Sequence, residues 1–245
     1  MFESVKSNRI SEYIISQIRN AVFEGKLKPG DRLPPEHQLM ETFGVSKATL
    51  REALRGLELL GFLQVRKGVE GGAIITEVDI NPVLGCLTNY LHFKNPSISD
   101  LTQVRILLES YCAEKAALAI TPEEIQRLEE LNEDCAQALK ADDHGKNRKN
   151  EIEFHRTIAA VTQNPILVVL IDIVENLLDG TKEILQPDKT FSEKVLSAHK
   201  EITAALLRKN PDQTREEMFK HIREVEKDLI LLQEARRNQE IPFNK

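Results

Sequence analysis

Only two short stretches of the 245 residues carry a strand pattern, Phe62-Leu63-Gln64-Val65 and Ala73-Ile74-Ile75-Thr76. The glycine-rich run Lys67-Gly68-Val69-Glu70-Gly71-Gly72 between them reads as a hairpin. Everything else is punctuated by helix signals, so the expected fold class is mainly α with one small β-hairpin. Before the hairpin, Ile10, Tyr13, Ile14, Ile18, Ala21 and Val22 recur at helical spacing from Asn8 to Phe23, and the run stops at Gly25. Lys28-Pro29-Gly30 reads as a turn, because proline presets its own φ and glycine tolerates φ > 0. Pro35 suits the first position of a short second helix with Leu39, Met40 and Phe43 on its apolar face, broken by Gly44. Ser46 is a good N-cap for a third helix, Lys47 to Leu60, closed by Gly61.

From Pro82 onward strand signals vanish and helix starts recur: Ser97 or Ser99 before Asp100, Thr121-Pro122-Glu123-Glu124, Ser192 and Pro211. Asn164-Pro165 and Asn210-Pro211 are breaks, since proline disfavours the helical region for the residue before it. About six or seven helices are expected from Pro82 to roughly Arg236, a bundle with short connections. The apolar positions Ile166, Leu167, Val169, Leu170 and Ile173 are expected in its core. The boundary is expected between Val78 and Asn81, giving domains 1–78 and 79–245.

Net charge is −6, but its distribution matters more than its total. Residues 1–78 hold 11 Lys+Arg against 10 Asp+Glu, and the remainder 22 against 29. The acidic second half would repel phosphates, so any DNA contact must come from a local arrangement of cations in the first half. No apolar run approaches the roughly 20 residues that cross a bilayer, so no membrane partner is expected. The opening Met1-Phe2-Glu3-Ser4 lacks the apolar core of a secretory signal. Three cysteines without CxxC spacing suggest neither a disulfide framework nor a thiolate zinc site. A reducing cytoplasm is the expected location.

Two helices separated by a tight glycine-containing turn, the second capped and cationic, followed by a hairpin, form a winged helix-turn-helix pattern. Ser46, Lys47, Thr49 and Arg51 sit at the end of the third helix that would enter a major groove. Arg or Lys can donate to guanine O6 and N7, and Thr can meet a thymine methyl or a phosphate. Arg66 and Lys67, beside Gly68, would present a wing to the sugar-phosphate edge. Singly, each cation could equally belong to a solvated helix face; the order of elements carries the inference.

The stretch Phe23-Glu24-Gly25-Lys26-Leu27-Lys28-Pro29-Gly30-Asp31-Arg32-Leu33-Pro34-Pro35-Glu36, with Leu39, resembles the N-terminal domain of GntR-family regulators. Gly44-Val45-Ser46-Lys47-Ala48-Thr49-Leu50-Arg51-Glu52-Ala53-Leu54, Leu57 and Gly61-Phe62-Leu63 continue it without a gap. The resemblance implies DNA contacts from Arg32, Lys47, Thr49, Arg51 and Gly68, with Lys47 in place of the commoner arginine.

In the second half, Glu151 and His155 are four apart and project from one helix face. His199 and His221 lie on either side of the break at Asn210, equidistant from it, so an antiparallel hairpin would set them at the same height. One carboxylate and three imidazoles suit a borderline divalent ion such as zinc, nickel or manganese. A lone helix histidine is also commonly a hydrogen-bonded core residue, and Arg105 can pair with Glu109 four residues on. Residues Leu101 to Ala117, Glu151 to Pro165 and Ser197 to Leu229 resemble the all-helical effector domain of the FadR-like branch, the FCD type. The matching residues are Val104-Arg105, Leu108-Glu109, Phe154-His155-Arg156, Asn164-Pro165, His199 and His221. The resemblance implies a metal held by Glu151, His155, His199 and His221, with Glu151 replacing the usual aspartate, and Arg105 as anchor for a small carboxylate effector.

These readings converge on a transcription regulator, expected to be a repressor. It would bind a pseudo-palindromic operator in double-stranded DNA as a homodimer under the control of a small organic acid. A metal-dependent enzyme is the rival, although HExxH, a glycine-rich phosphate loop and a GxSxG elbow are all missing. An architectural DNA-binding protein with a structural metal is the third reading; it would show no melting shift with small molecules.

Overall fold

The computed structural model describes residues 7–66, 72–77 and 81–240. The chain divides into two compact units, Met1–Leu87 and Thr88–Lys245.

The first unit opens with α1 (Ser7–Phe23), followed by α2 (Glu36–Phe43) and α3 (Lys47–Leu59). Pro35 lies just outside α2: its ψ of 149° is extended, and its carbonyl accepts the first helical bond from Leu39 N. Gly44 ends α2 at φ 63°, a left-handed conformation that glycine adopts at no steric cost. Its N–H and that of Val45 close back onto Glu41 and Met40, and this tight closure sets the turn between α2 and α3. Ser46 caps α3, its Oγ accepting from Thr49 N at 3.3 Å. Leu50, Ala53, Leu54 and Leu57 are the buried stripe of α3; they pack on Ile14 and Ile18 of α1 and Leu39 of α2. Strands β1 (Leu63–Arg66) and β2 (Gly72–Ile75) pair antiparallel, with Leu63 opposite Ile75 and Val65 opposite Ala73. Arg32 adds an isolated bridge to Ile74. Phe62, Leu63, Ala73 and Ile75 close the core from the sheet side.

Helix α4 (Asn81–Lys94) crosses the division between the units, which the sequence had led us to expect after Val78. The second unit continues with α5 (Ile98–Ala119), α6 (Pro122–Lys140), α7 (His144–Val161), α8 (Pro165–Leu185), α9 (Lys189–Leu207) and α10 (Pro211–Glu240). Reciprocal capping boxes start α5 (Ser97 with Asp100) and α6 (Thr121 with Glu124). Asn164 caps α8 just ahead of Pro165. Helix α9 begins earlier than Ser192, because Asp188 Oδ1 accepts from Phe191 N at 2.9 Å and captures the cap; Ser192 is buried inside the first turn. Small residues Ala113, Ala116 and Ala117 on α5 sit in the core with Met218 and Ile222 of α10, Leu128 of α6, Phe154 and Ile158 of α7 and Ile202 of α9. Ile173 is buried and Leu167 packs against the core as expected of them, whereas Ile166 is 68% and Leu170 39% exposed, facing away from it. Among the described residues, no helix is long and apolar enough to cross a membrane.

Candidate functional site

The outer face of α3 carries Lys47, Arg51 and Arg55, spaced four apart and all exposed, so the three cations form one stripe. Arg55 extends this stripe beyond the residues expected from sequence, and its spacing from Lys47 and Arg51 was the available signal. Together with Glu12, Glu52 and Leu59, the stripe lines a groove of about 770 Å³. Arg51 Nε lies 3.1 Å from Glu36 Oε1 at the start of α2, an exposed pair that water screens. Thr49 Oγ1 stands 2.9 Å from Ser46 Oγ. Arg32 is exposed, and so is Arg66, whose Nε donates to Gln64 Oε1 at 3.3 Å. Lys67 and Gly68 of the expected wing lie outside the described residues.

In the second unit the antiparallel pair α9 and α10 brings His199 and His221 together, ring centroids 4.8 Å apart. His155 of α7 joins them, 5.0 Å from His199 and 5.2 Å from His221. Ligating nitrogens of the three lie within 4.8 Å of one another, and all three residues are buried. Phe154 stacks on His199 at 4.0 Å, which holds that ring's plane. Burial, reinforced by His155, pulls the His199 pKa well below the usual histidine range; burial and His199 do the same to His221. Both rings are therefore neutral and carry an available lone pair. Both nitrogens of His199 lack a hydrogen-bond partner although the residue is fully buried. A buried imidazole with two unsatisfied nitrogens is costly unless something else uses them. This donor set fits a borderline divalent cation.

Beside the trio sits a buried ionic network. Arg105 of α5 donates through Nε to Glu109 Oε1 at 2.7 Å and through Nη2 to Glu109 Oε2 at 3.2 Å. Glu175 Oε1 of α8 is also 2.7 Å from Arg105 Nε, but the single N–H there points at Glu109, which leaves Glu175 Oε1 without a hydrogen bond. Burial alone would lower the Arg105 pKa; Glu109 and Glu175 overcome it and keep the guanidinium charged. Burial opposes ionisation of Glu109, yet Arg105 and His155 hold its carboxyl well below the usual range. Glu175 goes the other way: burial raises its pKa more than Arg105 lowers it. Glu109 Oε2 is 2.7 Å from His155 Nδ1, an ion-pair distance with no N–H aligned along it. His155 Nε2 lies 3.4 Å from Arg105 Nη2. Glu109, His155 and Glu175 form a second group of mutually close ligating atoms, sharing His155 with the first.

Glu151 is buried one turn before His155 but enters neither group. Its carboxylate accepts from Lys182 Nζ at 2.7 Å and from Asn147 Nδ2 at 2.7 Å. Thus of the four expected ligands the structure brings together the three histidines and sets Glu151 on Lys182. Arg105, the expected effector anchor, is 2% exposed and committed to two carboxylates. Glu175 and Lys182 were absent from the sequence reading. Asp172, Glu175, Asp179 and Lys182 recur at helical spacing along α8, and that polar stripe was the overlooked signal.

Two family models match the chain: the description "Bacterial regulatory proteins, gntR family" covers residues 10–70, and "FCD domain" covers residues 100–224. The HTH-type transcriptional regulator LutR of Bacillus subtilis (strain 168) is 30% identical over 207 residues, 82% of this chain and 93% of that protein. The chain belongs to the GntR family. This GntR regulator, with its FCD domain, is also 28% identical over 235 residues to the Uxu operon transcriptional regulator of Escherichia coli (strain K12), covering 94% of the one and 90% of the other. Among solved structures, a Streptococcus agalactiae GntR protein superposes with a TM-score of 0.67 at 30% identity, over 89% of this chain and 99% of that one. The GntR match falls on the helix-turn-helix unit and the FCD match on the bundle that holds the histidines. The protein is a DNA-binding transcription regulator, as its relatives' names also describe them.

Proposed function

We propose that this GntR regulator is a homodimeric, metal-containing repressor whose grip on its operator is released by a small organic acid. The observation that carries the reading is the buried trio His155, His199 and His221, mutually close and in part unpartnered. The three histidines would hold zinc, nickel or manganese, and the bound ion would supply a Lewis-acidic position for a carboxylate. Glu109 Oε2, 2.7 Å from His155 Nδ1, is the carboxylate that would accept from that ring behind a bound ion. The resemblance to the FadR-like branch supports release by a carboxylate and repression as the sign.

Operator reading falls to α3. Lys47, Thr49 and Arg51 would face base edges and phosphates, with Ser46 holding the helix start and Arg55 extending the cationic stripe. Arg32 and Arg66 would contact the backbone nearby, and Lys67 and Gly68 would form the wing. A dimer matches the two-fold symmetry of a pseudo-palindromic site. Its supporting observation is the exposed apolar set on α5: Val104, Leu107, Tyr111 and Leu118, which water alone would cover poorly. With DNA as its partner, the protein would work in the cytoplasm.

The test is fluorescence anisotropy on duplexes enriched from a random pool. Wild-type protein should bind with a steep salt dependence, and Lys47→Ala should flatten the log–log slope by about 0.9, the share of one phosphate contact. Zinc together with an organic acid should weaken binding. A slope unchanged in Lys47→Ala would remove α3 from the interface, and indifference to every metal and acid would remove the control.

A further inference from the structure

The bundle contains a cavity of about 560 Å³ whose wall includes Asn147, Glu151, Lys182, Lys189, Phe191 and Ser192. Of the buried charged residues, Glu151 and Lys182 are the ones that line it. Arg105 has its guanidinium between Glu109 and Glu175, so an incoming carboxylate there would be a third acid for one cation. Arg148, another cation on the cavity wall, is bound to Asp179 at 2.7 Å. Lys182 differs from both in being at once buried and on the cavity wall. Its only carboxylate partner among these contacts is Glu151, and Glu151 lies one turn before His155 on the same face of α7.

Resting on the metal reading above, we propose that Lys182 is the anchor for a small hydroxylated carboxylate, and that Glu151 covers it until a metal ion binds. Glu151 exchanges one cation for another: it leaves the Lys182 ammonium and turns to the ion held by His155, His199 and His221. Three features favour the exchange. Within the buried network two cations, Arg105 and Lys182, face three carboxyl groups, Glu109, Glu151 and Glu175, so a divalent ion adds positive charge that one further anion can offset. Lys182 is held in place without Glu151, because its Nζ stands 5.8 Å from the centre of the Phe191 ring. The cavity wall then offers Asn147 and Ser192 to the hydroxyls of the ligand, and Lys182 to its carboxylate. Anion binding is thereby conditional on metal binding, and a carboxylate offered to metal-free protein meets a Lys182 already paired.

Amine labelling of the intact wild-type protein, read by mass spectrometry with and without zinc, tests this directly. Lys182 labelling should rise severalfold when zinc is added, while exposed Lys200 is unchanged, and added glycerate should suppress the rise at Lys182 alone. In zinc titrations by calorimetry, Lys182→Met should bind zinc about tenfold more tightly than wild type, the scale on which groups behind metal ligands act. Glu151→Gln should weaken zinc binding in the Lys182→Met background more than in wild type. Should Lys182→Met fail to fold, as its melting curve would reveal, the labelling of wild type decides alone. Zinc binding with Lys182 labelling unchanged overturns this inference and leaves the metal site standing. Zinc-dependent labelling that glycerate does not suppress overturns the assigned ligand class. Absence of zinc binding to wild type overturns the metal reading itself.

Discussion

Replacing Arg105 with methionine separates a structural cation from a ligand anchor. Arg105 is 2% exposed and lies 2.7 Å from both Glu109 and Glu175, so its removal leaves two carboxylates buried beside each other. Removing one partner of a buried ion pair costs about 3–5 kcal/mol, because the charge left behind has lost its compensation. Glu175 can relieve part of this by holding a proton, since burial already raises its pKa, whereas Glu109 would keep only His155 to offset its burial. A loss of about 3–5 kcal/mol is therefore expected, a large fraction of the roughly 5–15 kcal/mol that holds a domain folded. The loss should also depend on pH. Without Arg105 the burial that already raises the Glu175 pKa loses its main opposing charge, so the variant is least impaired below the ordinary glutamate range and loses stability as pH rises through the folded value. Urea denaturation of wild type, Arg105→Met and Arg105→Met/Glu175→Gln between acid and neutral pH measures all three effects. The double variant should recover part of the loss, because one buried carboxylate has been neutralised. A loss under about 1 kcal/mol at neutral pH, the range of exposed pairs, would refute the reasoning and return Arg105 to the role of a free anchor.

Three further outcomes are expected, one at the ionic network and two elsewhere in the fold. In wild type, Glu109 has a depressed folded pKa, so its contribution is present above the unfolded carboxyl value and lost as pH falls through the folded one; Glu109→Gln should flatten the acid limb of the stability curve. Iodoacetamide at pH 8 should modify exposed Cys86 in the native protein and spare Cys112 and Cys135, whose thiols burial pushes up to about 12; peptide mapping that finds all three labelled equally would contradict their placement. Thr121→Ala should cost about 1 kcal/mol in urea denaturation by removing the α6 cap, and a neutral result would show that its capping box contributes nothing.

Much of the architecture was legible because local chemistry fixes it. Ser46 and Thr121 each satisfy an orphan helix N–H three residues on, and such caps can be read directly from sequence; Asn164, expected only as a break, caps α8 in the same manner. The exception is instructive: Asp188 and Ser192 are both good caps four residues apart, and the earlier one wins, drawing Ser192 into the helix. His199 and His221 were legible as a pair because equal distances from Asn210 translate into equal heights in an antiparallel hairpin. The partners of Arg105 and Glu151 were only half visible. Glu109 shares a helix with Arg105 at four residues' spacing, whereas Glu175 and Lys182 reach the site from α8, and only tertiary packing sets that approach. For the same reason the fate of Glu151 was hidden: the i,i+4 relation to His155 places both on one face and is silent about a lysine 31 residues later. Ile166 and Leu170 were misjudged because an apolar run does not say which of its sides is covered.

The metal site of the bundle is open to direct measurement. Zinc calorimetry on the full chain should give one ion per chain for wild type and no measurable binding for His199→Ala, while both proteins keep the same helical spectrum. Equal zinc binding by the two proteins, or none by wild type, would contradict it.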